Sequence, residues 1–184
     1  MGVFLSFLPF IAFALLAEPI GPMLALAIGA AIGLVLAVRS RMTPPYALNV
    51  LDTGAAALMG GVALYLAAAG GTLSLIAVRL CVDFGLFLIV LISIAIGRPF
   101  TLAYARQQVD PAYWDHPLFL KTNNLIAGAW AAAFAVMAGI EAAMLFWPAF
   151  PRPLGVALIL LAFAGAFSFT AWYPKRVRAA AAGG

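Results

Sequence analysis

Six apolar runs, each near the length needed to cross a lipid bilayer, follow one another along this chain with short polar breaks between them. A helix crossing the hydrocarbon core needs about 20 mostly apolar residues. The runs are Val3 to Ala17, Ile20 to Val38, about Val50 to Ala69, Leu73 to Ile96, Leu125 to Trp147 and Leu154 to Trp172. Glu18-Pro19, Gly70-Gly71 and the stretch from Pro148 to Pro153 separate neighbours, as proline and glycine do at the ends of regular elements. The chain is 66% hydrophobic and 9% charged, against about 25% charged residues in ordinary soluble domains. A water-soluble globule of 184 residues could not hide that much apolar surface. The expected class is an all-α, polytopic transmembrane bundle of six spans, with one membrane domain over residues 1–178 and a disordered tail at 179–184.

The charges that remain set the orientation. Arg39 and Arg41 follow the second run, Arg98, Arg106 and Lys121 lie between the fourth and fifth, and Lys175, Arg176 and Arg178 follow the sixth. The alternate connections hold only Arg152, and Arg79 lies inside a run. Cytoplasmic loops carry the excess of Lys and Arg, so both termini are expected in the cytoplasm. The basic residues are scattered through several loops with no stripe or module, so the net charge of +4 does not point to nucleic acid. The first run is read as a retained span and not a cleaved leader, because no Lys or Arg precedes it. Cys81 lies in an apolar run and is expected to be a buried, inert thiol.

Helices in lipid associate through close backbone approach, which small residues permit. Gly29 and Gly33 form a GxxxG in the second run. In the fifth, Ala127, Ala131, Ala135 and Gly139 recur every four residues, with Phe134 and Met137 expected to point elsewhere. That small face is expected to pack within the subunit, a homodimer seam being the alternative.

Ionisable residues inside spans are costly and persist when paired or when they face a polar cavity. Arg79 and Asp83 stand one helical turn apart. By depth, Glu141 on the fifth run and Tyr65 on the third reach the same outer half of the bilayer. Arg79, Asp83, Glu141 and Tyr65 are therefore the candidate polar cluster, read as a substrate, proton or ion site or as a structural ion pair. Asp52 is expected to reach the interface or cap its helix, and Asn123 and Asn124 to cap the fifth. In the long loop, Phe100 and Tyr104 on a short helix are expected to lie on the headgroup layer or to face solvent, and Asp110-Pro111 to start a new helix. The single histidine, His116, leaves no histidine-rich metal set, and no HExxH, GxSxG or phosphate loop is present. Neither an enzyme nor a bound cofactor is expected.

Phe4-Leu5-Ser6-Phe7-Leu8-Pro9 resembles the opening of the intracellular septation protein A family of bacterial inner-membrane proteins. Gly97-Arg98-Pro99-Phe100, then Trp114, then Asn123-Asn124 followed by Trp130 and Phe134, resemble that family's later motifs in order. The chain departs from it in the wider Asn124-to-Trp130 spacing and in helices richer in Ala and Gly. The resemblance implies a multi-pass protein of the bacterial cytoplasmic membrane, linked to envelope maintenance and septation, with wall-synthesis or division proteins as partners. The alternative is a small transporter or channel, since six spans divide into two halves of opposite topology.

Overall fold

The computed structural model describes residues 5–42, 49–70 and 73–182. They form seven helices: α1 (Leu8–Leu16), α2 (Pro22–Met42), α3 (Val50–Ala68), α4 (Leu75–Ala95), α5 (Leu102–Ala105), α6 (Pro117–Phe146) and α7 (Arg152–Ala182), with one 3-10 turn at Pro111–Tyr113. Five of these, α2, α3, α4, α6 and α7, are long and apolar enough to cross a membrane. The nine residues of α1 rise about 13 Å, less than half of a hydrocarbon core of about 30 Å. The first of the six expected spans is therefore a short helix within the described residues. Chain contacts divide the molecule into two compact units, residues 1–89 and 90–184.

In the first unit, α1 packs on α2 and α2 on α3. Gly21, at φ +89°, makes the turn from α1 into α2. A Cβ placed on Gly33 would lie 2.9 Å from the Ala56 nitrogen, and one on Gly29 would lie 3.1 Å from the Pro9 oxygen and 2.5 Å from the Met59 sulfur. The GxxxG of α2 thus faces both neighbours, with backbone meeting backbone or nearly so. Helix α4 turns Val78, Val82 and Leu86 inward, a spacing of four that keeps one face buried. A Cβ on Gly54 would touch Ile89, and one on Gly85 would meet Leu58, so α3 and α4 run antiparallel with those positions level. Cys81 lies off the buried stripe and is exposed, contrary to the buried thiol expected.

The second unit is built on the pairing of α6 with α7. Trp130 is fully buried, edge-on to Phe163 with ring centroids 5.4 Å apart, and its indole N–H donates to Thr170 Oγ1 at 2.9 Å. Helix α4 ends at Gly97, φ +70°, where Arg98 N–H donates to Ser93 O and Gly97 N–H to Ile94 O. That pair of bonds is the Schellman arrangement, which needs a residue free to take positive φ. The Ser93 hydroxyl then accepts the Phe100 N–H at 3.3 Å, and Thr101 Oγ1 donates to Asn123 O at 3.1 Å. These bonds fold the loop inward, so Phe100 and Tyr104 are buried instead of lying at the headgroups. Asp110 does cap a short turn starting at Pro111, its carboxylate accepting the Ala112 N–H at 2.9 Å.

Two helix limits differ from expectation. Helix α6 begins at Pro117 with His116 Nδ1 capping it, so Asn123 and Asn124 lie nearly two turns inside. Asn123 bonds back to Phe119 O at 2.9 Å instead of capping. Helix α7 continues to Ala182, through most of the stretch expected to be disordered; residues 183–184 are outside the described residues.

Candidate functional site

The expected cluster is divided between the two units. Arg79 and Asp83 lie one turn apart on α4 in the first unit, both half-buried. Carrying the α3–α4 register two turns beyond Gly85 and Leu58 sets Tyr65 level with Val78 and Arg79. Tyr65 is nonetheless 58% exposed. Glu141 is buried on α6 in the second unit, 2% exposed.

A second polar group emerges in the first unit that the sequence reading did not assemble. Asn49 caps α3, its Oδ1 accepting the Leu51 N–H at 3.2 Å. The Asn49 amide also donates to Asp52 Oδ2 at 3.0 Å and to Ser6 Oγ at 3.2 Å. The Ser6 side chain also lies close to the same Asp52 carboxylate, so three side chains from two chain segments gather into a small polar ring around the Asn49 amide. All three are buried, Asp52 being 4% exposed. Asp52 therefore neither reaches the interface nor supplies the cap; the capping is done three residues earlier. The local signal was Asn49-x-x-Asp52 ahead of an apolar run, the spacing of a capping box. Nothing local marks Ser6, which is 43 residues away.

One atom in the ring is left over. Asp52 Oδ1 is buried and has no hydrogen-bond partner among the described residues. Buried polar atoms are usually satisfied, so such an oxygen is a place where a water, a proton or a small cation would be accommodated. Among the described residues no three His, Cys, Asp or Glu side chains are grouped to hold a metal.

The four-residue stripe on α6 is not a single buried face. Ala127 and Ala131 are buried while Ala135 and Gly139 are exposed. Four residues turn an α-helix through about 400°, so a four-residue repeat drifts about 40° per step and about 120° over three steps. The buried face instead follows alternating steps of three and four through Asn123, Ala127, Trp130, Phe134, Met137 and Glu141. Phe134 and Met137, expected to point elsewhere, are core residues.

No protein-family model, no curated protein and no solved structure matches this chain.

Proposed function

We propose that this chain is a multi-pass protein of the bacterial cytoplasmic membrane, with both termini inside, that serves envelope maintenance and septation by lateral association with other membrane proteins. In this reading the segment that contains α1 is the first of six spans, and the basic ends of α2, α6 and α7 lie on the cytoplasmic side. The observation that carries the association is the outward turn of the small-residue stripe: Ala135 and Gly139 are exposed one turn apart, and a Cβ on Gly139 would meet no atom within 4 Å. A small-xxx-small pair facing outward lets a second helix approach closely in lipid, where the hydrophobic effect gives no drive.

A photo-crosslinking residue at Gly139, expressed in membranes, is expected to give one discrete adduct with a wall-synthesis or division protein. Adduct formation should disappear when Ala135 is changed to Leu in the same protein. A ladder of unrelated proteins, or lipid adducts alone, would defeat the association; an adduct with a second copy would replace it by the homodimer.

A second reading, a small transporter or channel, is favoured by the carboxylates within the spans and by the unpartnered oxygen of Asp52. Solute or proton flux in liposomes that falls in Asp52→Asn, Asp83→Asn or Glu141→Gln would support it. Flux unchanged in all three would remove those carboxylates from any transport mechanism.

A further inference from the structure

The outer surface of the α6–α7 pair carries a continuous open cleft. One part, about 760 Å³, has Lys121 and Asn124 at its mouth and Gly128 and Ala129 on its wall, with Phe169 of α7 opposite. The next part, about 730 Å³, shares Ala129 and Phe169 and runs on between Ala132 and Gly165. The cleft exists because small residues stand on both walls: no atom lies within 4 Å of a Cβ on Gly128 or on Gly165. From Asn124 to Val136 it covers about 18 Å along α6, comparable with the roughly 15 Å hydrocarbon depth of one leaflet.

Its polarity is graded along that length. Beyond Gly128 the walls are Ala, Val, Leu and Ile with Phe169. At the mouth stand Lys121 and Asn124, both exposed. The antiparallel register fixed by Trp130 and Thr170 brings the stretch from Lys175 to Arg178 level with that mouth. Arg176, two turns on from Phe169, shares its face of α7 and is steadied over the Trp172 ring at 5.1 Å, so two cations, Lys121 and Arg176, stand at the polar end of an apolar trough.

We propose that this cleft is a binding site for an anionic phospholipid of the cytoplasmic leaflet, one acyl chain lying in the Gly/Ala trough and the phosphate facing Lys121 and Asn124. The charge match selects this occupant over a zwitterionic lipid or an apolar helix. Basic pockets between membrane helices on the cytoplasmic side take anionic headgroups, and clustered Lys and Arg add to the attraction. The site is separate from the Ala135–Gly139 seam, which does not line the cleft.

The test is native mass spectrometry of the purified full chain in detergent, titrated with phosphatidylglycerol and with phosphatidylcholine of identical acyl chains. Retention of phosphatidylglycerol should exceed that of phosphatidylcholine several-fold, and Lys121→Gln should lower it about fivefold. Filling the trough by Gly128→Leu with Ala132→Leu should remove the bound phosphatidylglycerol. Lys121 is exposed, so its variant tests the idea even if the filled variant does not fold. Equal retention of the two lipids would overturn the proposal, as would unchanged retention in Lys121→Gln or in a folded, filled variant. Stoichiometric co-purification of another protein's helix, displaced by the filling substitutions, would overturn it in favour of a protein partner.

Discussion

Gly33 stands where a side chain would have to displace backbone. A methyl there would lie 2.9 Å from the Ala56 nitrogen and 3.2 Å from its Cα, and neither atom can move without parting α2 from α3. Gly33→Ala is therefore expected to cost about 1–3 kcal/mol, read as a lower unfolding midpoint in detergent. Gly61→Ala, on the same helix pair but with no atom within 4 Å of its Cβ, should be neutral or slightly stabilising. Asn49 is a second such position, because one side chain holds a cap and two side-chain partners. Asn49→Ala removes the cap and strips a donor from a buried carboxylate, so it should cost about 2–4 kcal/mol. Asp110→Ala, an exposed cap, should cost about 1 kcal/mol in the same assay. Equal losses in the two variants would show that burial of the Asn49 ring adds nothing.

The elements were legible wherever proline, glycine and hydropathy agreed. Helices α2, α3 and α4 lie within four residues of the apolar runs that foretold them, because Pro, Gly and interfacial Arg punctuate their ends. The limits of α6 and α7 were missed for a physical reason. Hydropathy marks where a helix leaves lipid, not where it stops, and Lys121 to Asn124 are polar residues within a helix that starts at Pro117. In α7, the Ala179–Ala182 stretch is strong helix-forming sequence that extends a helix already nucleated. The burial of Phe100 and Tyr104, and the Ser6–Asn49–Asp52 ring, depend on partners distant in sequence, which periodicity cannot reveal. The pairing of α6 and α7 includes a polar contact within an aromatic core. Thr170→Val removes the acceptor of the buried Trp130 N–H and should cost about 1–3 kcal/mol. A change in Trp emission should accompany that loss, whereas Thr122→Val, near the start of α6 and bonded at an exposed site to Leu118 O, should change neither.

For the molecule as a whole, the proposed inside-to-inside topology makes a direct prediction. In a Cys81→Ser background, single cysteines at Gln107 and Ala179 should resist an impermeant thiol reagent in intact spheroplasts and react once the membrane is opened. A cysteine at Ala149, in the connection between α6 and α7, should react from outside without lysis. The reverse pattern would invert the orientation. An outside-accessible cysteine at Leu5, with Ala149 also outside, would instead leave α1 as a helix that enters the bilayer without crossing it.

The spanning helices differ in length in a way that bears on where such a protein can reside. Helix α3 has 19 residues, about 28 Å, whereas α6 and α7 have 30 and 31, about 45 Å each. A thicker bilayer is accommodated by α6 and α7 through a smaller tilt, since both have turns to spare. Helix α3 has none, and its buried end at Asn49–Asp52 would be drawn toward the hydrocarbon. Hydrophobic mismatch would then fall on the short spans, with α3 and its polar ring the shortest of them, so membrane thickness alone could sort this protein between bilayers or disturb that ring.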